Sequence, residues 1–145
     1  MSTRRGAYFF TGSEAMNELS HKRILIVEDE EAIARMMQWQ LESAGYEVHT
    51  EDRGRTAVSY VAEHRPDLVV LDLRLPDLHG YDVSRQLREV CKPWKLPILM
   101  VTAMDRNIDR LRGFAHGADA YLTKPYEEAD LIRAVTLLLV GASPV

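Results

Sequence analysis

A chain of 145 residues, 46% of them hydrophobic, has room for one domain with a core of its own, since domains cluster at roughly 100 to 200 residues. Its 18 basic and 22 acidic side chains give a net charge of −4, and neither sign is gathered into long runs, which argues against a nucleic-acid surface or a polybasic membrane patch. The single cysteine, Cys91, excludes a disulfide framework and reads as a small half-buried filler. The N-terminal "AYFF" is too short for a secretory core of ~7 to 15 apolar residues, and "LLLV" falls far below the ~18 that span a bilayer, so a cytoplasmic protein without a membrane segment is expected.

Residues 1–21 mix Ser, Thr, Gly, Arg and two Phe without sustained periodicity. They read as a flexible or extraneous tail, leaving a domain over 22–140 and a short C-terminal tail over 141–145. The first strand, "ILIV" (24–27), ends at Glu28 and Asp29. A helix follows with Ile33, Met36, Met37, Leu41 and Ala44 on one face and Gly45 at its close. "YEVHT" (46–50) is the second strand, and the helix after it is closed by Pro66. "LVVL" (68–71) runs into Asp72 and a loop in which Asp77 and Gly80 read as turn and helix-start residues. Pro97 begins "ILMV" (98–101), where its missing N–H is tolerated, and Thr102 follows. "AYLT" (120–123) leads to Lys124 and Pro125, and the last helix puts Leu131, Ala134, Val135 and Leu138 on one face. Trp39 and Trp94 read as packing residues, and the histidines at 21, 49, 64, 79 and 116 as solvated or locally bonded.

Five strands, each followed by a helix, predict an α/β fold: a parallel sheet covered on both faces, in three layers. The first, third and fourth strands are apolar throughout and belong in the centre, whereas Glu47 and His49 in the second suit an edge, as does the fifth. That is compatible with the doubly wound, flavodoxin-like order 2-1-3-4-5, which makes the first and third strands neighbours and places ligands beyond their carboxyl ends.

Those ends carry Glu28 and Asp29, Asp72, Thr102 and Lys124. Parallel strands bring all five side chains to one rim. Three carboxylates there repel unless a cation joins them or they take up protons. Hard oxygen donors without a Cys or His cluster favour Mg²⁺, or a close substitute such as Mn²⁺. Lys124 and Thr102 suit the phosphoryl oxygens that the metal leaves unneutralised. Acids at 28 and 29 also suit the start of the first helix.

"LIVEDEE", "LVVLDLRLPDLHGYD", "ILMVTA" and "GADAYLTKPY", four motifs in order at the right strand ends, together resemble the receiver domain of two-component response regulators from about Lys22 to Leu139. The order 2-1-3-4-5 is also that of chemotaxis-type members, so this expectation shares its source with the resemblance. The resemblance implies that Asp72 is the phosphoacceptor and a metal ligand, that Asp29 binds Mg²⁺ directly and Glu28 through water, and that the backbone carbonyl of Arg74 is a further ligand. It implies that Thr102 bonds the phosphoryl group, that Lys124 pairs with it, that Lys124-Pro125 is cis, and that Tyr121 is the aromatic switch whose ring turns inward as the Thr102 hydroxyl moves. Arg74 and Met104 would border the path of attacking water, and so bulky a pair implies slow hydrolysis.

The partners implied are a sensor histidine kinase or phosphotransfer protein, and a downstream protein met through the fourth helix, fifth strand and fifth helix. A phosphorylation-dependent homodimer is one form of that output. Direct nucleic-acid contact is not expected, nor enzymatic activity beyond self-phosphorylation and slow self-dephosphorylation. Two alternatives remain open. One is the detached N-terminal receiver of a longer DNA-binding transcription regulator or hybrid kinase. The other is an aspartyl-phosphate phosphatase, against which the short loops count because they leave no substrate cap.

Overall fold

In a computed structural model, Leu19 and residues 21–92 and 94–141 are described; of the tails expected over 1–21 and 141–145, residues 1–18, 20 and 142–145 lie outside them. Strands β1 (Arg23–Val27), β2 (Glu47–Glu51), β3 (Leu68–Leu71), β4 (Ile98–Thr102) and β5 (Ala120–Thr123) alternate with helices α1 (Glu31–Ser43), α2 (Gly54–His64), α3 (Gly80–Val90), α4 (Asn107–Ala115) and α5 (Glu128–Leu139). All neighbouring strands are parallel, in the order β2-β1-β3-β4-β5. The expected flavodoxin-like sheet is therefore the one formed.

Successive strand side chains point to opposite faces, and here both faces are covered. Leu25, Val27, Val69 and Leu71 pack with Ala57, Val61, Val83 and Leu87 of α2 and α3. Ile24, Ile26, Leu68 and Val70 pack with Met37 and Leu41 of α1 and Leu131, Val135 and Leu138 of α5. That double burial is why β1, β3 and β4 tolerate no polar residue in their interiors. β2, half exposed along its length, is an edge.

Along α1 the buried stripe is Ala34, Met37, Gln40 and Leu41, not the face expected from Met36 and Ala44. Consecutive helical residues are ~100° apart, so Met36 cannot share the inward face of Met37; it is 47% exposed. Trp39, two residues past Met37, points nearly opposite and is 65% exposed, so it is not a packing residue. Trp94 is: its ring lies against the α2/α3-side core, with the Arg65 guanidinium 4.7 Å from its centroid. Cys91 is fully buried. The helix before Pro66 ends as expected, with Arg65 in the left-handed region at φ 48°.

The histidines bond locally, and His49, His64, His79 and His116 also lie against tyrosine rings. Tyr60 lies between the rings of His49 and His64, at 4.0 and 4.3 Å. Tyr81 stacks on His116 at 4.5 Å and meets the His79 ring at 4.6 Å with the planes tilted by 46°. Contacts of the fold also begin upstream of residue 22. Leu19 packs against the α1/α5-side core and the His21 N–H donates to the Gly45 carbonyl at 3.1 Å. Among the described residues no helix is long and apolar enough to cross a membrane.

Candidate functional site

Strand register carries the site. Val27 stands opposite Leu71, so the next residues, Glu28 and Asp72, leave adjacent strand ends together. The Asp72 N–H donates to the Val27 carbonyl at 3.0 Å, and the Glu28 N–H to the Glu51 carbonyl at 3.0 Å. One ladder bond each thus continues past the strands and fixes both acids at the rim. Thr102 stands opposite Thr123 across β4 and β5, which delivers Lys124 to the same rim, its N–H donating to the Thr102 carbonyl at 2.8 Å.

Oxygens of Glu28, Asp29 and Asp72 all lie within 4.8 Å of one another. Glu28 and Asp72 are 2% and 7% exposed, while Asp29 is open to solvent. The Lys124 Nζ donates to Glu28 Oε1 at 2.8 Å and stands 3.6 Å from Asp72 Oδ2. Burial pulls the Lys124 ammonium down, but its hydrogen bond to Glu28 and the charges of Asp72, Glu28 and Glu30 outweigh that and hold it above the ordinary lysine value. Glu28 Oε2 also accepts the Glu30 N–H at 3.2 Å, so this acid does take part in the turn into α1.

Three carboxylates and one ammonium leave two negative charges uncompensated. Each carboxylate pair at such a separation repels by about 3 kcal/mol or more at an effective dielectric of about 20. An all-oxygen donor set with this charge fits a hard divalent cation such as Mg²⁺, and the acids the sequence singled out are the ones brought together. The loop after Asp72 folds back upon it. The Arg74 N–H donates to Asp72 Oδ1 at 3.3 Å, and the Gly80 N–H to the Leu73 carbonyl at 2.8 Å. A Cβ on Gly80 would stand 2.5 Å from Leu73 Cα and 2.9 Å from the Asp72 carbonyl oxygen. Gly80 does begin α3, as expected, but its stronger reason is this close approach to the acceptor's own backbone.

Thr102 is fully buried, and its hydroxyl accepts the Met104 N–H at 3.4 Å. The Lys124-Pro125 bond is cis. Tyr121 is 8% exposed and its hydroxyl donates to the Met104 carbonyl at 2.7 Å; the ring thus already occupies the inward place the resemblance gives it after switching. Burial, then the neighbouring Tyr81 and Asp109, push its phenol up to about 12.

Asp77 has a role that sequence reasoning missed. It is no mere turn residue: its carboxylate accepts the Gly54 and Arg55 N–H groups at 2.8 and 2.9 Å and so caps α2. Tyr126 was also missed; its phenol is pushed up to about 12 by burial and by the charge of Glu28. Neither left a local signal, because both act on chain segments distant in sequence.

The model of the response regulator receiver domain family matches residues 24–136. Over 119 residues the chain is 41% identical to the alkaline phosphatase synthesis transcriptional regulatory protein PhoP of Bacillus subtilis (strain 168), covering 82% of this chain and 49% of that protein. Over 122 residues it is 40% identical to the phosphate regulon transcriptional regulatory protein PhoB of Rhizobium meliloti (strain 1021), covering 84% and 54%. The chain therefore spans about half the length of the curated relatives it matches. The BeF3-activated N-terminal receiver domain of Klebsiella pneumoniae RstA superposes with a TM-score of 0.75 at 31% identity, covering 81% of this chain and 97% of that one. Matched through most of its sequence by the family, and in fold by a solved receiver, the chain belongs to the response regulator receiver domains of two-component signal transduction.

Proposed function

We propose that Asp72 accepts a phosphoryl group from a sensor histidine kinase or phosphotransfer protein, and that the resulting aspartyl phosphate is a timed signal read by a protein partner. The observation that carries this is the gathering of buried Asp72 with Glu28 and Asp29 within 4.8 Å, beside Lys124 at 3.6 Å. Receiver domains are signalling modules, and nothing beyond self-phosphorylation and slow self-dephosphorylation is asked of this one. The residues that would hold Mg²⁺ (or Mn²⁺) are Asp29 and Asp72, Glu28 through water, and the Arg74 carbonyl. When bound, such an ion neutralises charge on the transferring group.

The remaining chemistry belongs to the chain. An ionised carboxylate needs no general base, so Asp72 attacks directly: the phosphorus–nitrogen bond to the donor histidine breaks as the bond to the Asp72 carboxylate oxygen forms, and the imidazole leaves (with acetyl phosphate the bond broken is phosphorus–oxygen and acetate leaves). The Lys124 ammonium is poised to leave Asp72 for a phosphoryl oxygen, and the Thr102 hydroxyl supplies a second donor. Because the Thr102 hydroxyl accepts the Met104 N–H and Tyr121 holds the Met104 carbonyl, a phosphoryl group drawing on Thr102 acts on the α4-β5-α5 face. Moving such a surface from about 1:99 to 99:1 takes about 5.5 kcal/mol, the scale of several charge-assisted hydrogen bonds.

A second reading is favoured by one observation. The relatives named transcriptional regulatory proteins are about twice as long as this chain's match to them, which supports its being the receiver part of a longer regulator working in the cytoplasm. Incubation with Mg²⁺ and acetyl phosphate tests the main proposal. Intact mass should rise by one phosphoryl group in the parent and not in Asp72→Asn; labelling of a folded Asp72→Asn protein at the same extent overturns it.

A further inference from the structure

Gly113 lies inside α4 and is buried. Glycine is the poorest helix former after proline, so its presence in a helix interior calls for a reason. The reason is across the interface with β5. A Cβ built on Gly113 would stand 2.8 Å from Cδ2 and 2.9 Å from Cε2 of Tyr121, and 3.2 Å from Met100 Sδ. Carbon atoms pack best at about 3.5 to 4.0 Å, so even a methyl group would overlap the ring.

Tyr121 has little room in which to yield. Its hydroxyl is bound to the Met104 carbonyl at 2.7 Å. The Arg110 guanidinium stands 5.4 Å from the ring centroid and is itself tied to Thr123 Oγ1 at 2.8 Å. Met100, against the same wall, is fully buried. The inward seat of the ring is thus a slot that α4 flanks with Arg110 and Phe114 and leaves as bare backbone at Gly113 between them.

We propose that Gly113 is a positioning residue for the Tyr121 switch: the missing side chain on α4 keeps open the seat the ring takes, and any side chain there drives the ring outward. This rests on the reading of Tyr121 as the switch residue. If the inward ring belongs to the phosphorylated state, filling its seat lowers affinity for a phosphoryl mimic by linkage. Binding of Mg²⁺ alone in the acidic pocket is untouched, since Gly113 contacts none of the acids.

Five proteins, each with the whole chain, test it: the parent, Gly113→Ala, Tyr121→Ala, the double variant, and Tyr121→Phe, whose missing signal identifies Tyr121 under fluorotyrosine labelling. In Gly113→Ala the Tyr121 fluorine signal should move toward that of free fluorotyrosine, beryllofluoride affinity should fall about fivefold or more, and Mg²⁺ affinity should hold. In the Tyr121→Ala background Gly113→Ala should change neither affinity. An unmoved fluorine signal, or an equal loss of beryllofluoride affinity without the ring, overturns the proposal. Should Gly113→Ala alone fail to fold, a folded double variant still supports the steric clash, and an unfolded one refutes it. Separately, if Tyr121→Ala transmits the beryllofluoride-induced change to α4-β5-α5 as well as the parent does, the switch reading fails, while the fluorine signal still decides who occupies the seat.

Discussion

Lys124 is shared between two carboxylates but sits closer to Glu28 than to Asp72, at 2.8 against 3.6 Å. The acceptor is thus only loosely engaged, which suits a group that must take a new bond. The raised Lys124 value sets a pH sign: its stabilising pair with Glu28 is complete below the ordinary lysine value near ~10.4 and is lost as pH climbs through the higher folded value. Unfolding midpoints taken across the alkaline range should therefore fall less steeply in Lys124→Met than in the parent. Thr102→Ala should still gain a phosphoryl mass yet transmit poorly; parent-level partner affinity in that phosphorylated variant counts against the role assigned to Thr102. Arg74 is exposed and Met104 half-buried, and both are long side chains beside the acceptor's rim. An Arg74→Asn, Met104→Glu double variant should lose its phosphoryl group about tenfold faster, a barrier lower by about 1.4 kcal/mol, as read by mass over time. The residues Glu28, Asp29, Asp72, Thr102 and Lys124 were legible because strand ends in a βα repeat share one rim whatever fills the loops.

Between elements, the bond that sequence reading could not supply is Asp77 to α2. Burial raises the Asp77 carboxyl, but hydrogen bonds from Arg55, Gly54 and its own loop prevail and hold it below the ordinary carboxylate value. Asp77→Ala should cost about 1 kcal/mol in urea unfolding near neutral pH. That cost should shrink as pH falls below ~4 through the lowered folded value, because the cap is complete above the unfolded value and is lost on protonation. At the start of α4 the Asp109 carboxylate accepts both the Arg106 N–H and its guanidinium at 3.1 Å, and the Arg106 hydrogen bond lowers it. The helix that faces Tyr121 is thereby anchored at its first turn. α1 illustrates how a helical period can be right while its phase is wrong. Alternative stripes through Met36 or Met37 fit the sequence nearly equally, and only the position of the sheet selects Met37.

For the whole molecule, the fold brings together charges it does not itself neutralise. Three carboxylates within 4.8 Å oppose folding until a cation arrives, so ion binding and stability are linked. Mg²⁺ at about 100 times its dissociation constant should add about 2.7 kcal/mol of stability, seen as a rise in thermal midpoint that chelator reverses. Asp29→Asn should be more stable than the parent in chelator and respond less to Mg²⁺; an equal Mg²⁺ response in both proteins would exclude Asp29 as a ligand.

The alternation of apolar strands with amphipathic helices, and the acids standing at strand ends, were determined by the sequence alone, since strand pleat and helical turn are properties of a few consecutive residues. The strand order could be argued from which strands tolerate polar residues, with help from the family. Only the tertiary structure decided that Lys124 bonds Glu28, that Asp77 caps a helix 22 to 23 residues upstream, and that a bare stretch of α4 backbone admits the Tyr121 ring. Each depends on the separation, to a few tenths of an ångström, between segments that meet only once the sheet has closed its register and both faces have packed.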